Sequence, residues 1–292
     1  MKKSEIKALI ALLDDPDPQI YSHVKEKLLS KGFDVIPTLE DAWGVSLDSV
    51  LQERIEEIVH EIQFEDVQVS LKKWRNEPDG DIMEGSIIIA KFQYPDIDTE
   101  LIYKELDSLR NQVFFELDNT AKPIEKIKVL NHFFYDVWKF KGNKKNYHSA
   151  SNSYINNVIE SRRGNPLLLS ILYSYIAQGA SVPIYGVNLP QHFVLAYVDD
   201  LDVFSNLDPL SSPEVLFYIN TFNKGLVFTR KEIDDFIKQL NLKPQSAYFY
   251  PCSTKEMIIR MVHNLMHTYK KVGEEEKVEE LKILLDILFG KE

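Results

Sequence analysis

The sequence predicts an α+β fold: a small antiparallel sheet set among many helices. Three observations carry this. Apolar residues recur only at helical spacing over residues 4–64 and again over 254–288. Short runs rich in β-branched and aromatic residues are confined to 182–219. Just before them, residues 166–178 form a strongly apolar stretch, too long for a strand and suited to a buried helix.

The elements follow in order. Ile6, Leu9, Ile10 and Leu13 mark a first helix, which the segment DDPDP ends. A second carries Ile20, Val24, Leu28 and Leu29, with Gly32 as its stop. A third begins near Val35-Ile36-Pro37 and carries Leu39 and Trp43. A fourth carries Val50, Leu51, Ile55, Ile58, Val59 and Ile62. Residues 9–43 resemble a HEAT-type repeat, in which each helix pair buries one face by stacking on a neighbour. The expected organisation is a helical cap over 1–64, a core over 65–245 and a C-terminal helical pair over 246–292.

Within the core, the run from Ile87 to Phe92 suits a strand or a buried helix equally well. Residues 100–117 and 123–138 read as amphipathic helices. The buried helix at 166–178 is ended by Gly179-Ala180-Ser181. Strands are expected at 182–187, 193–198 and 215–219, with a polar loop between the last two. Thr229 with Glu232 is a capping-box pattern opening a helix over 231–240. The pair over 254–288, turning at KVGEEEK, is similar to a tetratricopeptide unit.

Charge narrows the function. With 34 Lys+Arg against 45 Asp+Glu, the net charge is −11, which disfavours nucleic acid as a partner because phosphate contacts need a basic face. The KGNKK cluster at 141–145 reads as a solvated loop. There is no run of about 18 apolar residues to cross a membrane. The opening segment has no unbroken apolar core of the kind a secretory signal needs, so the reading is a mature cytoplasmic protein. Cys252 is the only cysteine, which rules out an intrachain disulfide and a cysteine-rich zinc site. His263 and His267 lie four apart on a helix, but no acidic ligand set accompanies them. No metal and no cofactor is expected.

Separate motifs then occur in a telling order: Asn152-Ser153, Arg162-Arg163-Gly164-Asn165-Pro166, and Gly186-Val187-Asn188-Leu189-Pro190-Gln191-His192-Phe193, with Arg260, Asn264 and Leu265 in a late helix. Together they resemble the SirB-type transglutaminase-like family. The resemblance covers roughly residues 65–290. It implies a transglutaminase-like, cysteine-proteinase-like core. One departure stands out, since the family usually has Gly where this chain has Gln191, and Gly reaches backbone angles that Gln does not.

A working site of that class needs a Cys at the N-terminus of a buried helix, a His on a facing strand, and an Asp or Asn to orient the His. Counting back about four turns from Gly179 places the nucleophile slot near Asn165 or Pro166. Neither side chain attacks a carbonyl, and the resemblance implies the same missing thiol. Cys252 precedes Ser253-Thr254 at a helix start, where a dipole lowers a thiol pKa, although it reads more simply as a small apolar residue. His192 has the position of a catalytic His, and also suits a structural His under a loop. Asn220 is the preferred orienting residue, in a segment similar to the family's Ile-Asp-Pro-Phe-x-x-Gly. Asp208, in Leu207-Asp208-Pro209, is the alternative. Arg162 and Arg163 precede the helix, where they suit a ligand carboxylate or phosphate or an internal acid. Asn152 reads as a helix cap. Tyr147, Tyr154, Tyr173, Tyr175 and Tyr185 read as core or rim.

The expected function is non-catalytic binding of a peptide, protein or small ligand in a degenerate cleft, with Arg162, Arg163, Asn165 and His192 as candidate contacts. The alternatives are an enzyme using His192 as general acid or base without a protein nucleophile, and a pure scaffold with a closed cleft.

Overall fold

The computed structural model of the chain describes residues 3–78, 80–118, 120–199 and 214–291. It divides into two compact units, Met1–Ser70 and Leu71–Glu292. The boundary falls within one helix, α4.

The first unit is helical. Its elements are α1 (Lys3–Ile10), α2 (Pro18–Leu29), α3 (Ile36–Val45) and the first part of α4 (Ser49–Asn76). Asp17 caps α2 by accepting the Gln19 N–H, and Pro18 occupies the first helical position, where its missing donor costs nothing. The helical stripes meet in one core that includes Ile10, Leu13, Leu28, Leu39 and Ile58. Gly32 does not stop α2 directly. The helix ends at Leu29, and Gly32, with φ of 57°, opens a short 3-10 turn leading into α3.

The second unit contains the sheet. The ambiguous Ile87–Phe92 run lies mostly in helix α5 (Ile82–Lys91). Asp81 fixes its start by accepting the Met83 and Glu84 amides. Residues Ile87 to Ala90 are all buried, so no polar face marks the helical period. Helix α6 (Thr99–Glu116) follows. The helix expected over 123–138 is instead α7 (Pro123–Asn131) continued by a wider π-helical turn, His132–Val137. That turn seats Phe134 against Phe140 (4.6 Å between ring centres) and Tyr173 (5.1 Å).

Two short strands, β1 (Lys141–Gly142) and β2 (Arg163–Gly164), pair in parallel on either side of α8 (Ile155–Ser161). The buried helix is α9 (Pro166–Gly179). The main sheet is antiparallel, ordered β3 (Ile184–Leu189), β4 (His192–Val198), β5 (Val215–Asn220), β6 (Leu226–Phe228). The first strand starts two residues later than its β-rich run, because Pro183 lacks the N–H that a ladder position uses. Strand β4 is buried from Phe193 to Val198, between α9 on one side and α10 (Arg230–Gln239) on the other. Such burial explains why the run is continuously apolar rather than alternating. The Thr229–Glu232 capping box opens α10 as expected. Helices α11 (Thr254–Val272) and α12 (Glu275–Phe289) pack on each other around Gly273, which has a left-handed φ of 82°. A Ser253–Glu256 capping box starts α11.

Gly186 and Gly225 are among the glycines of the second unit that space requires. At Gly186 an added Cβ would sit 2.7 Å from the Phe193 ring and 3.0 Å from Met257 sulfur. At Gly225 it would run into the Asn131 side chain, which donates to the Gly225 carbonyl at 3.1 Å, and φ there is 67°. Gly225→Ala should therefore cost about 2 kcal/mol, from left-handed strain plus the collision. Urea unfolding of the variant checks this, and an unchanged midpoint would show that the 220–225 turn is not held by Asn131.

Candidate functional site

The slot at the head of α9 is built from three neighbouring polar side chains. Asn165 is its N-cap: the side-chain oxygen accepts the Leu168 N–H at 2.9 Å, and the side-chain NH2 donates to Ser153 Oγ at 2.8 Å. The Asn165 backbone N–H donates to the Asn152 carbonyl. Asn152 itself is buried. It donates to the carbonyls of Asn146 (2.7 Å) and Tyr147 (3.1 Å) and accepts from Asn143 at 2.9 Å. Asn152 is therefore not the helix cap the sequence suggests. Tyr154 stands at that position of α8, and Asn152 instead folds the 143–149 loop against the head of α9.

That loop, the β3–β4 hairpin and α11 enclose a cleft of about 340 Å³. It is lined by Tyr147, His148 and Ser149 of the loop, by Ser153, Asn165 and Pro166, and by Gln191, Arg260 and His267. A second cleft, about 480 Å³, adjoins it and is mainly aromatic, with His192, Phe222, Phe228 and Phe236 on its walls. Both clefts share Tyr147, Pro166 and Phe193, so they form one groove across the head of α9.

The sequence-predicted residues distribute unevenly around this groove. Asn165 and Pro166, the residues expected at a nucleophile slot, both line it. His192 is exposed at the start of β4 and stacks on Phe236, with ring centres 4.8 Å apart. Asn220 lines the same aromatic cleft, but its side-chain oxygen accepts the Asn223 N–H at 3.0 Å, capping the turn after β5. Among the described residues no hydrogen bond joins Asn220 to His192. The alternative, Asp208, lies outside the described residues.

The two arginines lie outside the groove's lining. Arg162 is the left-handed C-cap of α8 and pairs with Glu105 at 2.5 Å, its guanidinium lying over the Phe140 ring. Arg163 is exposed on β2. An internal acid thus holds Arg162, the second of the two roles its position allowed.

Cys252 lines neither cleft. Burial, with the Glu256 charge adding to it, pushes its thiol up to about 12, the opposite of the lowering a helix start suggested. The helix terminus is offset by desolvation, and the thiolate a nucleophile needs is suppressed.

Several groove residues were visible in the sequence without a role at the site. Arg260 is half-buried on α11, where one nitrogen donates to Asn188 Oδ1 (2.6 Å) and the Leu189 carbonyl (3.0 Å), fixing the end of β3. Burial lowers its pKa from the usual arginine value. Gln191, flagged by its departure from Gly, adopts φ of 60° and so keeps the left-handed turn that glycine would make. Its side chain lines the polar cleft. Tyr147 is a rim residue, braced edge-on by Phe222 at 5.8 Å.

Two measurements test this geometry. Asn165→Ala removes a helix cap and the Ser153 partner together, and should cost about 2 kcal/mol in urea unfolding. Native Cys252 should react with a soluble disulfide reagent at pH 8 at least about tenfold more slowly than in the unfolded chain. Its proton is bound more tightly folded than unfolded, so its contribution to stability holds below the unfolded pKa and is lost as pH rises toward about 12. Wild type should therefore lose stability above pH 9 faster than Cys252→Ala.

Comparison with known proteins agrees with the fold. A transglutaminase-like superfamily model matches residues 100–263, more than half the chain. Human F-box only protein 21 is 28% identical over 259 residues, which cover 79% of this chain but 39% of that protein. A UPF0162 protein of Xylella fastidiosa strain 9a5c is 25% identical over 193 residues, 64% of each chain. Another from Pasteurella multocida is 38% identical over 80 residues, 27% of this chain and 30% of its own length. The chain thus spans about two fifths of its F-box relative. No solved structure matches. On the family match and the α+β architecture together, the chain belongs to the transglutaminase-like superfamily.

Proposed function

We propose that this chain is a SirB-type transglutaminase-like protein that binds a peptide or small ligand in the groove across the head of α9, without acyl transfer. The observation that carries the reading is the slot itself. Where a thiol would stand, an asparagine spends both ends of its amide on structure, followed by a proline with no functional group. The groove nevertheless persists around that slot, with aromatic walls on one side and polar walls on the other. Concave, largely preformed clefts with a few convergent polar groups are the usual form of ligand sites.

The helical cap over 1–64 and the pair over 246–292 would offer surfaces to a protein partner, in the manner of repeat helices. No helix among the described residues is long and apolar enough to cross a membrane. The acidic balance and single cysteine fit a cytoplasmic protein that does not act on nucleic acid.

The test is a fragment and short-peptide screen by NMR on the full chain. Binders should shift the amides of Tyr147, His192, Phe193 and Phe236. Phe236→Ala, which removes the ring stacked on His192, should weaken them about fivefold. The absence of any binder at these residues would sink the proposal. Turnover of a bound substrate abolished by His192→Ala would replace it with general acid–base catalysis.

A further inference from the structure

The two halves of the groove differ in chemistry. The chain has 45 acidic residues against 34 Lys and Arg, yet among the described residues no carboxylate lines the polar cleft. That cleft holds Arg260, His148 and His267 instead. Among the described residues Arg260 has no acidic partner, and its hydrogen bonds to Asn188 and Leu189 both run from a single nitrogen. A guanidinium has five N–H donors in a planar fork, so this one retains donor capacity beside an open cavity.

The α9 terminus carries no formal charge; Pro166 there has no N–H, and the Leu168 N–H is taken by Asn165. The charge is that of Arg260, in a partly desolvated place where an unpaired cation is costly and a bound anion relieves the cost. The aromatic half has the reverse character. Its one carboxylate, Glu232, is engaged by the Thr229 N–H and hydroxyl.

We propose that the groove is bipartite, with an anionic ligand group at Arg260, His148 and His267 and an apolar or aromatic group beside His192 and Phe236. The proposal rests on the groove being a ligand site, and it names the ligand class: an acyl-amino acid or peptide end bearing an anion. A carboxylate and a phosphate share this chemistry, and the experiment separates them.

The full chain is titrated with N-acetyl-phenylalanyl-glycine and with its C-terminal amide, followed by NMR and calorimetry, with inorganic phosphate as competitor. The acid should bind about tenfold more tightly than the amide, one charge-assisted hydrogen-bond set. Arg260→Gln should erase that preference while leaving amide binding in place. Because Arg260 also braces β3, His267→Ala at an exposed position serves as the second variant and should cut the preference about threefold. Competition by phosphate would assign the subsite to phosphate-bearing ligands, and its absence to carboxylates. Equal binding of acid and amide, with shifts at His192 and Phe236, would overturn the anionic subsite and leave the groove intact. A preference untouched by both variants would overturn it too. No binding by either peptide would count against both the subsite and the groove.

Discussion

The candidate site depends on one buried hydrogen-bond knot, that of Asn152, Ser153 and Asn165. Buried amides are costly unless hydrogen-bonded, and these bond to Asn143, to each other and to backbone. The knot does two things at once. It caps the buried helix α9, and it pulls the 143–149 loop onto the head of that helix. The groove walls contributed by Tyr147, His148 and Ser149 follow from the second effect.

Around this knot, other polar pairs hold the remaining walls in place. Ser170 and Thr221 share a hydrogen bond of 2.8 Å, tying the turn after β5 to α9, and Tyr135 donates to the Thr221 carbonyl at 2.9 Å. Arg260 grips the end of β3 from α11. Each wall of the groove is therefore fixed to a buried helix or strand, with no wall left to an unsupported loop. Such support is what keeps a site open at defined dimensions.

Much of the fold was legible in the sequence, because strong local signals agreed with the tertiary demand. The Thr229–Glu232 box, the apolar α9 and the β-rich runs of β3 to β5 are of this kind. The Ile87–Phe92 run was not, since a helix buried on every side loses the periodicity that identifies it. The π-helical turn after α7 was missed because its residues keep a helical pattern while only the backbone widens. At the site, Asn165 and Pro166 were readable as the head of the buried helix from their distance to Gly179. The role of Asn220 was not, because sequence cannot show that its carbonyl caps its own turn. Nor could it show that Phe193, Phe236 and Arg260, from three separate elements, converge beside Tyr147.

The left-handed turn at Gln191 carries a last consequence. A side chain there costs on the order of 1 kcal/mol relative to glycine, yet the chain places an amide at the rim of the polar cleft by accepting that strain. Relaxing the hairpin with glycine would make the molecule sturdier and its cleft blander. At this one position, durability and discrimination between ligands pull in opposite directions.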